Sequence, residues 1–536
     1  MESKRLVEML GSAVVGAGLI VLGYEFMAAG DEGGSKSSAS SDKDEPDGED
    51  AEPADPDAEV PAGGESGGAE EDEPAEADGP APLAGGPGFD VDAEGHYESF
   101  PDIYDHSQTF DAEDEDEYPE HGLVTSGAVT VRASTDADGP RLGLLRAGTR
   151  VRVKEGVAFG GGCSKGWKEI WPEGWVCLNA GLSVGTEPPP DGSVDVAKPN
   201  VDEPLPLEYW RVNHDGTPFF HRLPSYEEQD RADSAAKAWL ASKGREPMPT
   251  HPEQRPSDVP AVVKEYMNAG YYVTVASEHI KSQRRFVKTN RGVYARKYQL
   301  EQREGSDYEG YVLPNGAEDL PKYFIVRSMP LERRESEGSG IMIKTDIQPE
   351  RRSLYEFESS VRIGDFDYYV DADGNHLRAY AVGKARKIKK PPGIGAEEHW
   401  VHVDLSEQVL VAYIGTRPVF TTLVSTGKED GMTPIGVHRI QSKHIVTSMR
   451  DQPVEDEAYS IEDVPWTQYF SNNVALHGAF WHGGFGLVRS HGCVNLSPAD
   501  ARWLFGFLGP SLPENWHSRF PQGENAMQAS AVVITE

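Results

Sequence analysis

One short stretch of this 536-residue chain decides its fold and its chemistry: Ser490-His491-Gly492-Cys493-Val494-Asn495. A cysteine attacks as its thiolate, and an unassisted thiol with a pKa of about 8.5 is mostly protonated at neutral pH. Two histidines are close enough in sequence to take that proton, His491 inside the stretch and His477 upstream of it. Gly492 leaves the backbone beside the thiol free of a side chain. The pattern therefore predicts a cysteine nucleophile, Cys493, on a short loop.

These residues resemble the active-site pattern of the L,D-transpeptidases of the YkuD family, in which a His-Gly pair precedes Ser/Thr-His-Gly-Cys. The resemblance implies that Cys493 is the nucleophile. It implies that His477 is the general base and acid, with its ring oriented by the carbonyl of Gly478. His491 and the amides near Gly492 and Cys493 are expected around the oxyanion. The remaining residues of the pattern are expected to order the loop: Ser490 and Asn495.

The resemblance extends over residues 396–536, which it implies are a mostly β catalytic domain. Residues 425–427 and 433–436 read Ser-Thr-Gly and Thr-Pro-Ile-Gly, as in two turns of the family. The aromatic segment after Asp463 resembles the family's substrate cleft. The residues expected to bind substrate are Trp466, Tyr469, Phe470, Trp481 and His482. Because His482 is an additional histidine in this region, the choice of base between His477 and His482 stays open.

The reaction implied by the resemblance is acyl transfer on peptidoglycan stem peptides. The thiolate attacks the carbonyl of the third stem residue, D-alanine leaves, and an amine of a second stem resolves the thioester. No cofactor and no metal are implied. Water as the acceptor would define an L,D-carboxypeptidase, and a protein acceptor would define a wall-protein attachment or release enzyme. A catalytically inactive wall-binding protein is the remote alternative.

A metal-dependent peptidase is a different interpretation of the same residue types. Histidine and cysteine are zinc ligands. The candidates are His399, His402, His477, His482, His491 and Cys493. Such an enzyme also needs an Asp or Glu base, and none stands in a recognisable metallopeptidase spacing. We therefore favour the cysteine nucleophile.

The first 30 residues are typical of an exported protein. Lys4 and Arg5 precede an uncharged, apolar run of 16 residues, Met9 to Tyr24. A membrane span needs about 20 apolar residues, so the run predicts a signal peptide or a marginal membrane anchor. We expect the protein in the cell envelope or periplasm, in contact with the membrane only through this segment, and without a nucleic-acid partner.

Residues 31–121 form an acidic segment of low complexity. Between Asp31 and Glu120 there are 32 Asp and Glu residues and two Lys, so most of the net charge of -38 lies here. A segment with high charge and few apolar residues cannot bury enough surface to offset the entropy lost on ordering. We expect a disordered linker that holds the following domains away from a membrane, and an acidic tract that binds cations or basic partners is the alternative. Apolar clusters near Phe89 and from Tyr97 to Tyr104 are candidates for local docking.

Cysteine usage fits an exported protein. The chain has three cysteines. If Cys163 pairs with Cys177, Cys493 remains the single free thiol, as expected of an exported enzyme with a cysteine nucleophile. We predict this disulfide, and the alternative is three reduced, buried cysteines.

Residues 122–185 contain short alternating runs separated by Gly- and Asp-rich turns, which predict a small all-β barrel. The runs Val131-Arg132-Ala133-Ser134 and Gly174-Trp175-Val176 resemble a bacterial SH3 domain. That resemblance implies binding to cell-wall peptides, and a spacer without a ligand is the alternative.

A Pro-rich linker, residues 186–206, separates the SH3-like domain from an uncharacterised region, residues 207–395. Ser225 and Glu228 have the spacing of a capping box, which predicts a helix that stops at Gly244. The rest of this α+β or β-rich region reads as strands without a catalytic motif, and degenerate SH3-like modules are one interpretation of it.

One helix is expected in the catalytic domain. Ser497 and Pro498 predict its start, directly after the nucleophile's loop, and its apolar face includes Trp503 and Phe507. The whole chain is thus expected to be mainly β and multidomain. It combines an SH3-like barrel, a mostly β L,D-transpeptidase catalytic domain and a long disordered acidic amino-terminal tail.

Overall fold

The computed structural model describes residues 88–125, 127–450, 460–522, 526 and 528–536. They all fall in one packing unit, Ala81–Glu536. The predicted signal peptide or anchor and residues 31–87 of the acidic segment lie outside the described residues. Among the residues described, no helix is long and apolar enough to span a membrane. The structure is mainly β, as predicted, and its α-helices are α1 (Ala112–Glu117), α2 (Tyr226–Lys243) and α3 (Pro498–Phe507).

The two longer helices begin where a side chain satisfies their free backbone N–H groups. Ser225 accepts a hydrogen bond from the Glu228 N–H and donates its own N–H to the Glu228 carboxylate, which confirms the predicted capping box of α2. Ser497 accepts from the Asp500 N–H at the start of α3, with Pro498 in the first position. This predicted start is also confirmed, and it places the nucleophile's loop just before the helix.

The expectation of disorder as far as residue 121 is wrong for residues 88–121. Tyr97 is buried in the catalytic core, and the Phe89 ring packs edge-on against Trp503 with centroids 5.9 Å apart. The segment runs so close to α3 that a Cβ at Gly506 would overlap the carbonyl of Pro101. The apolar clusters near Phe89 and from Tyr97 to Tyr104 dock as the sequence suggests, and burial of these rings offsets the entropy of ordering.

Residues 120–185 form a first β-unit around one apolar core. Its strands are β1 (Glu120–Val124), β2 (Ala128–Arg132), β3 (Arg141–Arg146), β4 (Arg150–Val153), β5 (Trp167–Glu169), β6 (Trp175–Cys177) and β7 (Leu182–Gly185). Strands β4, β1 and β7 form one sheet, and β3, β2, β6 and β5 pair in a second. A disulfide joins Cys163 to Cys177 with an S–S distance of 2.02 Å. Wall-peptide binding by this unit stays a prediction.

Residues 207–303 form a second β-unit, against which α2 packs. Its strands are β8 (Glu208–Val212), β9 (Thr217–Phe220), β10 (Val263–Met267), β11 (Tyr272–Lys281), β12 (Arg284–Thr289), β13 (Tyr294–Arg296) and β14 (Leu300–Arg303).

A third group follows and is built from short strands: β15 (Tyr311–Val312), β16 (Lys322–Ile325), β17 (Glu332–Arg334), β18 (Met342–Lys344), β19 (Leu354–Tyr355), β20 (Ser359–Ile363), β21 (Phe366–Val370), β22 (His376–Arg378) and β23 (Val382–Ala385). Except for β15, these strands form two small sheets of their own.

One local pattern recurs in the first β-unit, in the second β-unit and in the third group of strands. A glycine with positive φ precedes a strand, a 3₁₀ turn and a second strand. The glycines are Gly174, Gly292 and Gly374, and the turns are Leu178–Ala180, Lys297–Gln299 and Ala379–Ala381. The repetition is what tandem modules of one kind would produce, and the SH3-like interpretation of residues 207–395 stays a prediction.

The catalytic domain holds α3 between two groups of strands. Its strands are β24 (His399–Asp404), β25 (Val409–Ile414), β26 (Arg417–Leu423), β27 (Gly436–Arg439), β28 (Ser442–Arg450), β29 (Ser460–Ser471), β30 (Val474–Gly478), β31 (Val494–Leu496), β32 (Ser518–Arg519) and β33 (Ala531–Thr535). One sheet has the order β15-β26-β25-β24-β33-β27, and β28 to β31 pair in sequence. On one side of α3, Trp503 stacks on Phe420 with ring centroids 4.3 Å apart, and on the other Phe505 packs on Trp466 at 5.3 Å.

Strand pairing and one buried carboxylate join the first two β-units to the catalytic domain. Strand β3 pairs with β32, and β11 pairs with β29. The Asp463 carboxylate of β29 forms an ion pair with Arg146 at 2.9 Å and accepts a hydrogen bond from the Thr274 hydroxyl. The backbone carbonyl of Asp463 accepts a hydrogen bond from the Tyr209 hydroxyl at 2.6 Å. Burial raises the pKa of Asp463, but Arg146 and Thr274 more than offset this effect, so the net pKa is lowered.

Removal of one partner of this buried pair is expected to destabilise the fold. Asp463→Asn keeps a residue that tolerates the positive φ of 53° at this position, but it leaves the Arg146 guanidinium without its charge partner. We expect the free energy of unfolding to fall by about 2 kcal/mol or more in urea denaturation. Asp367→Asn is the matched control, because its pair with Arg362 is at least 60% exposed on both sides and should contribute less than about 1 kcal/mol. Equal effects of the two substitutions would contradict the role given to Asp463.

Candidate active site

Parallel pairing of β30 with β31 brings the predicted base next to the predicted nucleophile. His477 pairs with Asn495, and Cys493 lies on the turn directly before β31. Alternate side chains of a strand lie on one face of the sheet, so Cys493 and Asn495 share the face of His477. Cys493 is therefore two residues before the strand partner of His477.

The His477 ring is oriented for proton transfer. Its Nδ1 lies 3.3 Å from the carbonyl oxygen of Gly478. A carbonyl only accepts hydrogen bonds, so Nδ1 carries the proton and Nε2 has the free lone pair. Burial lowers the pKa of His477 to about 4, and the bond to Gly478 opposes this shift only in part. The imidazole is thus neutral at neutral pH and able to accept a proton.

Cys493 is half-buried and holds its proton in this structure. Its Sγ donates to the carbonyl oxygen of Asn473 at 3.7 Å and accepts from the Ala475 N–H. Burial raises the pKa of the thiol to about 11, against the opposing effect of the Ala475 bond. The site therefore contains a thiol and a neutral imidazole, and removal of the proton must accompany attack by the sulfur.

The loop before Cys493 is held by hydroxyl groups. Ser490 Oγ accepts from the Gly492 N–H at 3.0 Å and donates to the Cys493 carbonyl at 2.6 Å. The Thr433 hydroxyl donates to the Gly492 carbonyl at 2.8 Å. A Cβ at Gly492, whose φ is 130°, would lie 2.6 Å from the Met432 carbonyl oxygen, so no larger residue fits. The Gly492 amide, expected at the oxyanion, is instead engaged by Ser490, and the Cys493 amide is the alternative donor.

Both ring nitrogens of His482 lie within hydrogen-bonding distance of other groups. Its Nδ1 accepts from the Gly484 N–H at 3.1 Å, and its Nε2 lies 3.0 Å from the side-chain amide of Asn495. Because Nδ1 accepts, the neutral ring carries its proton on Nε2, and the Asn495 Oδ1 is the matching acceptor after rotation of the amide. Burial lowers the pKa of His482 to about 3. Since His482 then has no free lone pair for the thiol, the geometry favours His477 as the base.

Two aromatic residues expected to bind substrate lie in the protein interior. Trp466 and Phe470 are buried, with 0% and 1% of their surface exposed. The Trp466 Nε1–H donates to the Pro204 carbonyl at 2.6 Å. The expectation for Trp466 and Phe470 is therefore wrong: this segment of β29 packs against the Pro-rich linker and α3 instead of facing solvent.

The other residues expected at the site are accessible. Trp481 is half-buried and stacks on His477 with ring centroids 5.6 Å apart. Trp481 and His482 line a cleft of about 860 Å³. Tyr469 is partly exposed, and His491 is exposed on the loop that carries the thiol.

The histidines considered as zinc ligands have separate partners. His399 Nδ1 bonds the Phe507 carbonyl at 2.8 Å, and His402 Nε2 bonds the Thr535 hydroxyl at 2.8 Å. Within the described ranges, no group of three or more His, Cys, Asp or Glu side chains is arranged to hold a metal ion. The two histidines of β24 contribute to packing of the catalytic sheet.

Part of the chain matches a known protein family. The family model YkuD, described as the L,D-transpeptidase catalytic domain, matches residues 398–515. These residues form a YkuD domain. The L,D-transpeptidase 2 of Mycobacterium tuberculosis is 32% identical over 109 residues, which are 19% of this chain and 27% of that protein. The match thus spans about a quarter of the length of this curated relative.

Solved L,D-transpeptidase structures resemble part of the chain. An enzyme from Mycobacterium smegmatis is 17% identical, with 35% of this chain and 71% of that chain covered and a TM-score of 0.22. One from Stackebrandtia nassauensis is 24% identical, with coverage of 27% and 58% and a TM-score of 0.19. The catalytic domain of the E. faecium enzyme is 20% identical, with coverage of 26% and 98% and a TM-score of 0.20.

Sequence reasoning missed two contributions to the YkuD domain. The Thr433 hydroxyl bridges the Gly427 N–H and the Gly492 carbonyl, although the sequence presents it only as part of a turn. Buried Gln408 holds Thr426 through hydrogen bonds in both directions, and no motif marks it. Because Gln408 follows the polar residues Ser406 and Glu407, its burial has no local signal in the sequence.

The pKa values of the pair predict how Cys493 reacts with an alkylating reagent. With the thiol pKa raised to about 11, the thiolate fraction grows about tenfold per pH unit between pH 6 and 9. We expect the rate of iodoacetamide labelling to follow this slope without a plateau near neutrality. Cys493 is the free cysteine, so labelling stops at one adduct per chain and is absent in Cys493→Ala. A plateau between pH 6 and 8 would indicate a preformed thiolate and imidazolium pair and would contradict the assignment.

Proposed function

We propose that this protein is an exported, cysteine-dependent L,D-transpeptidase that acts on peptidoglycan stem peptides. One observation carries the proposal: within the YkuD domain, Cys493 directly precedes β31, which pairs with β30, the strand of a neutral His477 whose Nε2 is free. A thiol nucleophile and an adjacent base are the parts that acyl transfer through a thioester requires. The name of the mycobacterial relative supports the same reaction.

The proposed first half-reaction forms the thioester. His477 Nε2 takes the Cys493 proton as the sulfur attacks the carbonyl carbon of the third residue in a tetrapeptide stem. The carbonyl electron pair moves to oxygen, and the Cys493 N–H donates to the resulting oxyanion. Collapse of this intermediate breaks the amide bond, and His477 returns the proton to the leaving D-alanine amine.

The second half-reaction depends on the acceptor. An amine of a neighbouring stem gives a 3→3 cross-link, water gives a carboxypeptidase product, and a wall-protein amine gives an attached protein. We favour the stem amine, because the YkuD relatives are named as transpeptidases. Incubation with purified stems followed by muropeptide analysis separates the three, since dimers, shortened tripeptides and protein adducts are distinct products.

We also propose that the protein works in the cell envelope. The apolar run in the first 30 residues supports export, and the Cys163–Cys177 disulfide fits an oxidising compartment. The first β-unit, residues 120–185, is proposed to bind wall peptides in the manner of SH3-like modules. Labelling of intact cells with an impermeant thiol reagent tests the location, because only an exported Cys493 is modified.

Loss of the thiol is expected to abolish turnover while the fold is kept. Cys493→Ala should form no product from a tetrapeptide stem, and its urea unfolding curve should match that of the wild type. Wild-type protein should gain the mass of one carbapenem molecule, as in the E. faecium domain solved as an ertapenem adduct. Wild-type turnover by the alanine variant would overturn the assignment.

Separate substitutions of the two histidines are expected to identify the base. His477→Ala removes the proton acceptor, so kcat should fall by about 10²-fold or more. His482→Ala removes hydrogen bonds to the loop and to Asn495, and about a fivefold loss is expected for a single bond. Initial rates of D-alanine release measure both. A larger loss in His482→Ala than in His477→Ala would exchange their roles.

A further inference from the structure

The cleft beside the active site is built largely by residues outside the YkuD domain. It holds about 860 Å³ and lies between β8, β14, the segment 350–352 and the loop 480–483. The YkuD match begins at residue 398, so one wall is supplied by residues that precede this match. On the side of the active site, the cleft is lined by Trp481 and His482. Trp481 stacks on His477, and His482 contacts the side chain of Asn495.

The charged side chains that line the cleft differ in how exposed they are. The four arginines are half-buried and the three carboxylates are exposed, and Arg352 pairs with Asp307 at 3.6 Å. The arginines are Arg211, Arg303, Arg351 and Arg352, and the carboxylates are Glu304, Asp307 and Glu350. An anionic group that binds in the cleft would therefore reach the guanidinium groups only after it passes the exposed carboxylates.

Two of the four arginines, Arg211 and Arg303, lack a strong partner. Arg351 donates to the carbonyls of Val326 and Phe485, and Arg352 donates to the Ser306 hydroxyl at 2.7 Å. Among the described residues the Arg211 side chain makes no hydrogen bond or ion pair. Arg303 pairs only with Glu301, at 2.8 Å, and both side chains are more than a third exposed, so the pair is weak. Burial lowers the pKa of Arg351, and the neighbouring charge of Arg352 lowers it further. Crowded guanidinium groups of this kind favour a bound carboxylate, which they can hold with paired N–H bonds.

The position of the cleft relative to the base indicates which part of the substrate it faces. Trp481 stacks on His477 and also lines the cleft, so a ligand there lies on the base side of the thioester. In the second half-reaction the acceptor amine passes its proton to His477 Nε2 while its nitrogen bonds to the thioester carbon. The C–S bond then breaks, and His477 returns the proton to sulfur. The acceptor must therefore approach from the base side.

We propose that this arginine-lined cleft binds the acceptor stem peptide through its carboxylates, with Arg211 and Arg303 as specificity-determining residues. The proposal rests on the proposed transpeptidase function. Tyr272 and Trp481 supply apolar surface for the alanine side chains of such a peptide, and the arginines select for free carboxylates over amidated ones.

The test compares acceptors with and without their charge. The double variant Arg211→Gln, Arg303→Gln of the full chain is assayed with a fixed donor tetrapeptide and an acidic tripeptide acceptor. We expect the acceptor KM to rise about tenfold or more, while donor hydrolysis without acceptor and acylation by a carbapenem stay unchanged. An amidated acceptor should bind wild-type protein about as weakly as the acidic one binds the variant, and the variant should discriminate little between them.

A matched control separates this effect from loss of positive charge in general. Arg285→Gln removes an exposed arginine of β12 that does not line the cleft, and its acceptor KM should stay within about twofold of wild type. An unchanged KM in the double variant, or equal losses for acidic and amidated acceptors, would overturn the proposal.

Calorimetry distinguishes an error in the proposed peptide-binding site from an error in the proposed function. Titration of the acidic tripeptide into Cys493→Ala, with and without the two glutamines, measures binding without catalysis. If wild-type protein transfers no acyl group, the proposed function is wrong, but a loss of peptide binding caused by the glutamines still supports the site. Binding that is the same with and without them would overturn the site, whatever the activity.

Discussion

The parallel pairing of β30 with β31 is the constraint on which the active site depends. It fixes His477 opposite Asn495 and leaves Cys493 on the same face, one alternate position away. The Cys493 thiol is itself held by hydrogen bonds to the backbone of Asn473, directly before β30, and of Ala475 in β30. The surrounding hydroxyl groups and the bond from Asn495 to His482 then restrict the loops on either side of the ladder.

The ladder is in turn held by helix α3, where the parts of the chain meet. Asp500, in the first turn of α3, accepts the Tyr97 hydroxyl at 3.1 Å, the Gly310 N–H at 2.8 Å and the Thr422 hydroxyl at 2.6 Å. Burial raises its pKa to about 6, an effect that these bonds offset only in part. A single carboxylate thus connects the amino-terminal segment, the middle region and the catalytic sheet directly behind the nucleophile.

Local signals in the sequence predicted local structure well. The cap residues Ser225 and Ser497 predicted the starts of both long helices, because capping depends on neighbours within one turn. The burial of Trp466 was not predictable in the same way. An aromatic residue has the same sequence signature in a substrate cleft and at a domain junction, and only the distant Pro204 carbonyl distinguishes them.

Non-local assembly explains the remaining differences. Tyr97 lies in a strongly acidic segment, and nothing nearby reveals that Asp500, some four hundred residues later, receives its hydroxyl. The cleft arginines are likewise spread from Arg211 to Arg352, and they come together only because β8, β14 and the segment before β19 meet beside the YkuD domain. The chemistry of the thiol could be inferred from a hexapeptide, whereas its surroundings required the fold.

The most direct test of the account is to trap the acyl-enzyme. Wild-type protein is mixed with a tetrapeptide stem in the absence of an amine acceptor, quenched in acid within the first turnover, and analysed by intact mass and peptide mapping. The account predicts a mass gain equal to the donor minus D-alanine, located on the peptide that contains Cys493 and removed by hydroxylamine. Release of D-alanine through the first turnover without any adduct on that peptide would contradict a thioester mechanism.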